Sequence, residues 1–142
     1  MRIATRALAY FAVVFGAGLV LGVVRAVFVA PRLGDRLAEL AELPLMLLIV
    51  CLVARRLVRR ESGLTAQAEW LAVGCLAFGL MLLTEFTLVL WIRGLSLSTY
   101  LANRDPVSGG AYLASLVVFA ICPWLVFRYR SRLSVPPNDA AA

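Results

Sequence analysis

The chain has 142 residues, of which 63% are hydrophobic and 15% charged, against roughly 45–50% and 25% in soluble globular proteins. With a mean hydropathy of +0.92, this composition excludes an ordinary water-soluble domain and predicts one compact membrane domain. The 14 basic residues, all arginine, and 8 acidic residues give a formal charge of +6; because the arginines flank apolar runs, this charge reads as membrane topology and nucleic-acid binding is excluded.

The first apolar run, Ala7 to Val24 and on through Arg25 to about Ala30, predicts a span over residues 7–29. Arg2 and Arg6 precede it as they would in a signal peptide. The run is longer than a signal's apolar segment of about 7–15 residues and no small-residue cleavage site follows, so a retained helix is expected. Gly18-Leu-Val-Leu-Gly22 is a GxxxG motif with Ala12 and Gly16 on a similar face. Such small residues let helices approach closely, and Gly18 and Gly22 are expected to pack against a helix of this chain or of a partner. Pro31-Arg-Leu-Gly-Asp35 predicts a turn, with Asp35 as the cap of the next helix.

The second span, residues 37–56, joins the segment Leu37 to Glu42 to the apolar run Leu43 to Ala54. Pro44 falls inside it and is expected to kink the helix and free a carbonyl one turn earlier. The third span, residues 70–92, contains the run Leu71 to Ile92. Leu95 to Ala102 is expected to form a short interfacial helix, and Asn103 to Gly110 a turn-rich loop. The fourth span, residues 110–128, holds the run Ala111 to Phe127, opened by Ser108-Gly109-Gly110. Residues 1–132 thus read as one membrane domain, and residues 133–142 as a disordered tail. None of the runs alternates as a strand would, and only helices or closed barrels cross lipid, so the fold class is an all-α, four-transmembrane-helix bundle.

Arginine placement orients the bundle. Arg2, Arg6, Arg55, Arg56, Arg59, Arg60, Arg128, Arg130 and Arg132 fall on one side, and Arg25, Arg32, Arg36, Arg93 and Arg104 on the other. The positive-inside rule then predicts both termini in the cytoplasm. Trp70, Trp91, Trp124 and Tyr129 lie near run ends and are expected at the membrane interfaces.

Glu85 is the most informative residue, because it interrupts the third run. An unpaired carboxylate there costs on the order of 2.5–3.5 kcal/mol by insertion scales. At about 1.5 Å per residue, Glu85 lies roughly 23 Å up a core of about 30 Å, Arg25 roughly 27 Å, Glu42 roughly 18 Å and Glu39 roughly 22 Å. Four charged residues from three helices therefore share the outer half. Arg25 is expected to pair with Glu85 or Glu42, its planar fork suiting a carboxylate. Glu39 and Glu42, three residues apart, share a helix face. A carboxylate in excess of nearby arginines is a candidate for reversible proton binding. The cluster reads first as structural glue between helices and second as a polar pocket. The inner halves of the spans carry no Asp or Glu, so no proton route continues inward, which favours the first reading.

Cys51, Cys75 and Cys122 share a depth towards the cytoplasmic side. Three thiolates suit a soft metal, yet none belongs to a CxxC motif and cysteine is a common small apolar residue in helices. No metal and no disulfide is expected there. The chain has no histidine, which removes the usual axial ligand of haem-carrying bundles and the commonest acid–base side chain near neutral pH, so no cofactor is expected. No GxSxG, P-loop, HExxH or CxxC signature is present, and no enzymatic activity is expected.

The stretches Pro31-Arg-Leu-Gly34, Ala38-Glu-Leu-Ala-Glu-Leu-Pro-Leu-Met46, Thr84-Glu-Phe-Thr-Leu-Val-Leu-Trp-Ile-Arg-Gly94 and Arg104-Asp-Pro-Val-Ser-Gly109 resemble a group of small, functionally uncharacterised bacterial four-helix membrane proteins. The resemblance covers most of the chain and implies a bacterial inner-membrane location; it carries no activity. Small multidrug transporters also have four helices and a membrane glutamate, but theirs lies in the first helix, and that family is not assigned. The sequence therefore predicts an accessory, structural or assembly subunit acting through helix packing. Its expected partners are the lipid bilayer and, through helix faces, membrane proteins or further copies of the chain. The alternative is a small transporter or channel with a periplasm-facing cavity around Glu85.

Overall fold

The computed structural model describes residues 2–60, 64–92 and 106–133, without the side chains of residues 89–92, 106, 108 and 133. Every regular element among these residues is helical: α1 (Arg2–Val24), a π-helical turn (Arg25–Val29), α2 (Ala30–Leu33), α3 (Asp35–Arg60), α4 (Gln67–Ile92) and α5 (Pro106–Leu133). Four helices are long and apolar enough to cross a membrane, the first running from Arg2 to Leu33 through the π turn. The expected interfacial helix at residues 95–102, residues 134–142 of the expected tail, and Arg93, Arg104 and the Trp91 side chain lie outside the described residues; Leu133, expected as the tail's first residue, instead ends the last helix.

Local chemistry sets the helix ends. Gly34 takes φ 79°, a left-handed value that glycine reaches without a Cβ clash, so the chain can stop one helix and start another within a single residue. Its carbonyl accepts from the Ala38 N–H at 3.1 Å, which makes Gly34 the N-cap of α3. Asp35, expected as that cap, instead lies in the first turn, where its charge still favours the positive end of the helix dipole. At the start of α4 the Glu69 carboxylate reaches back to the Thr65 and Ala66 N–H groups, both at 3.1 Å, as the acidic half of a capping box does. α5 begins at Pro106 rather than near Gly110, because proline is well suited to a first turn whose N–H groups have no helical acceptor. α3 is helical through Pro44 without interruption.

α1 and α3 form one antiparallel hairpin and α4 and α5 a second. The hairpins meet through α1 beside α4 and α3 beside α5, leaving α1–α5 and α3–α4 as the diagonals. The tightest approach among the described glycines is at Gly74 of α4, where a Cβ would lie 1.8 Å from the Ala120 carbonyl oxygen of α5. No side chain larger than hydrogen fits between these backbones. The GxxxG motif behaves differently: a Cβ at Gly18 would meet Met46 at an ordinary 3.4 Å, and one at Gly22 would meet nothing within 4 Å. Neither glycine is needed for a close backbone approach inside the chain.

The core sits at the end of the bundle that holds Trp70. Tyr10, Val14, Val58, Trp70, Val73 and Pro123 are the largest fully buried side chains. Trp70, near the start of its span, is completely buried among the helices; its ring stacks on Phe127 at 5.9 Å and its Nε1–H donates to the Leu64 carbonyl at 3.4 Å. Trp124 is half-buried with the Arg128 guanidinium 5.1 Å above its ring, and Tyr129 is exposed. The Arg130 Nη1 of α5 donates to the Val58 carbonyl at 3.1 Å, capping the last turn of α3 from a neighbouring helix. In the most apolar window of each spanning helix only 17–22% of residues are fully buried inside the bundle, and large apolar side chains such as Leu8, Val20, Val23, Phe28, Leu83 and Leu113 face outward.

Candidate functional site

Polar groups within apolar helices need partners, because an unmade buried hydrogen bond costs about 1–3 kcal/mol. Pro123 shows the accounting. Proline has no N–H and leaves the carbonyl four residues earlier without its helical donor; here that carbonyl belongs to Phe119. The Tyr10 hydroxyl of α1 donates to it at 3.1 Å, and the tyrosine ring stacks on the Phe119 ring at 4.7 Å. One side chain thus crosses the bundle diagonal and satisfies the orphaned group. Four other hydroxyls are satisfied within their own helices: Thr84 and Thr87 donate to the Leu80 and Leu83 carbonyls at 2.8 and 2.7 Å, Ser115 to Tyr112 at 2.7 Å, and Ser131 to Phe127 at 3.0 Å.

The charged residues singled out by depth form contacts at the other end, near Gly34. Arg25 opens the π turn, in which the Ala30 N–H bonds back to the Arg25 carbonyl. A π turn holds one more residue than an α turn, so it rotates the rest of the helix about its axis, and such turns occur often at functional positions. The Arg25 Nη1 lies 2.9 Å from Glu39 Oε1 and the Nε lies 3.0 Å from Glu42 Oε2. One guanidinium therefore contacts two carboxylates instead of gripping one. The Nε contact lacks hydrogen-bond alignment and acts as a charge contact. All three side chains are partly exposed, at 30%, 33% and 19%, which weakens the pairs relative to fully buried ones.

Glu85 accepts a hydrogen bond from the Tyr112 hydroxyl of α5. The register explains the meeting. Trp70 and Phe127 stack at one level, and Glu85 lies as many residues beyond Trp70 as Tyr112 lies before Phe127 in the antiparallel partner. Arg25, Glu39 and Glu42 are thus brought together across α1 and α3, and Glu85 is engaged across α4 and α5. Each hairpin carries one polar clasp far from the core end.

Tyr112 and Tyr10 escape a reading by charge and depth. Signals for both exist in the sequence: Tyr112 is a donor at the Glu85 level, and Pro123 inside an apolar run announces a carbonyl in need of one. The cysteines divide as well. The Cys51 and Cys122 sulfurs lie 3.8 Å apart, while Cys75 is exposed on α4. Among the described residues, no three His, Cys, Asp or Glu side chains gather as a metal site would require. No protein-family model, curated protein or solved structure matches the chain.

Proposed function

We propose that the protein is a small multi-pass protein of the bacterial inner membrane, with both termini in the cytoplasm, that serves as an accessory or assembly subunit through helix packing. The observation that carries this reading is the pair of clasps: Arg25 with Glu39 and Glu42, and Glu85 with Tyr112, each tie one helix to its hairpin neighbour. Charges used this way fix which helices lie together and in what register, at a modest net gain in stability. The four long apolar helices and the outward-facing apolar surface fit a lipid surround and leave helix faces for partners. The arginine bias supports the orientation.

The test has two arms. Arg25→Leu should lower the melting temperature in detergent, since it removes the cation that Glu39 and Glu42 share; neutralising both in the same chain, as Glu39→Gln and Glu42→Gln, should restore most of the loss. Unchanged melting in Arg25→Leu would remove the structural role. In proteoliposomes, proton-coupled flux present in the wild type and abolished by Glu85→Gln would replace this reading with a transporter.

A further inference from the structure

Cys51 of α3 and Cys122 of α5 take no part in either clasp. Both are free thiols, and their sulfurs are in van der Waals contact at 3.8 Å. A disulfide requires about 2.05 Å between sulfurs, and rotation about the cysteine Cα–Cβ bonds is the movement that closes such a gap. The two thiols are not equivalent: Cys122 is buried, whereas Cys51 is exposed on the outer surface of the bundle. One sulfur is open to a reactant from outside, and the other waits behind it.

We propose that Cys51 and Cys122 are a reversible dithiol–disulfide pair that staples the two hairpins together and is oxidised by a lipid-soluble quinone. The proposal rests on reading the chain as membrane-spanning. Charge and coordination decide against the competing use of two thiols, a soft metal ion. Metals bind thiolates, and two thiolates around a monovalent cation leave a net negative charge in hydrocarbon, which is costly; a divalent ion such as zinc takes four ligands, and among the described residues no third His, Cys, Asp or Glu side chain joins the pair. The dithiol and the disulfide are both uncharged. The usual scarcity of disulfides on the cytoplasmic side reflects glutathione and thioredoxin. A charged tripeptide and a soluble protein do not enter the bilayer interior, so the exchange partner there is a molecule that dissolves in lipid.

The step balances without further reactants. Two S–H bonds break and one S–S bond forms; the two electrons and two protons pass to the quinone, which leaves as hydroquinone. Because α3 belongs to the first hairpin and α5 to the second, the new bond adds a covalent tie between units that are otherwise joined by core packing and by the Arg130–Val58 and Tyr10–Phe119 hydrogen bonds. Cross-links that close long loops favour the folded state by restricting the unfolded chain, so oxidation is expected to raise the melting temperature.

The experiment uses the full chain in proteoliposomes, reduced, made anaerobic and treated with decylubiquinone. Thiols are counted by maleimide-polyethylene glycol gel shift and linked peptides are identified by mass spectrometry. Expected are loss of two of the three thiols, a Cys51–Cys122 peptide within one chain, one hydroquinone formed per protein, and reversal by dithiothreitol. Cys75→Ser should behave as the wild type, while Cys51→Ser and Cys122→Ser, checked for helicity and monodispersity, should form no such bond. Retention of all three thiols, linkage through Cys75, linkage between chains, or oxidation by diamide but not by the quinone each overturns the proposal. Resistance of the protein to alkaline extraction is scored separately, so failure of the membrane reading is distinguished from failure of the thiol pair.

Discussion

The two ends of the bundle are held by different physics. At the Trp70 end, Tyr10, Val14, Val58, Trp70, Val73 and Pro123 are fully buried, and backbones touch at Gly74 and Ala120. Towards Gly34 the large apolar side chains Val20, Val23, Val27 and Phe28 turn outward, and the polar contacts between helices include the partly exposed clasps of Arg25 and Glu85. Close packing resists small changes steeply, because dense interiors do not deform gradually. Half-exposed polar contacts are weaker and easier to rearrange. The chain therefore pairs a rigid end with an adjustable one, and substitutions should separate the two.

The largest effect is expected at Gly74. In Gly74→Ala the new methyl would overlap the Ala120 carbonyl oxygen, at 1.8 Å, and a backbone atom cannot rotate away as a side chain can. α4 and α5 must move apart, at a cost of about 3 kcal/mol or more. Chemical unfolding in detergent should show a large loss of stability or no folded protein. A Gly74→Ala chain as stable as the wild type would mean that the rigid end is not rigid.

Next comes the Tyr10 hydroxyl. Tyr10→Phe keeps the ring stack on Phe119 and removes only the donor, so it should cost about 1–3 kcal/mol. Pro123→Ala supplies the missing helical N–H, and the Phe119 carbonyl then has a donor within its own helix. In the double variant, the loss caused by Tyr10→Phe should largely vanish. Additive losses in this cycle would show that the hydroxyl matters for some other reason.

How much of the structure is legible in the sequence depends on the quantity each signal encodes. Apolar length gives four helices, because crossing distance depends only on residue count. Depth arithmetic puts Arg25, Glu39 and Glu42 in the same outer half, and they meet at 2.9 and 3.0 Å. Rotation about each helix axis is a different quantity, set by side-chain packing. It decides that Trp70 points inward, that Tyr112 faces Glu85, and that Cys122 faces Cys51 and not Cys75. A motif such as Gly18-x-x-x-Gly22 states that close approach is permitted; it does not state that it happens, and within this chain the close approach is made by Gly74.

The smallest effect, and the sharpest contrast with Gly74, is expected at Gly22. A Cβ there meets no atom within 4 Å, and alanine is favoured over glycine inside a helix by roughly 0.8–1.0 kcal/mol in peptide hosts. Gly22→Ala should leave the stability of the isolated chain unchanged or raise it by up to about 1 kcal/mol. The same substitution lies on an outward face of α1, so its effect on assembly is a separate measurement. If membrane cross-linking captures a complex of the wild type and Gly22→Ala weakens it while the single chain stays fully folded, the motif packs against a partner. If stability falls in the isolated chain, α1 approaches another helix of its own bundle more closely at Gly22 than at Gly18, and the contrast between the rigid and adjustable ends fails.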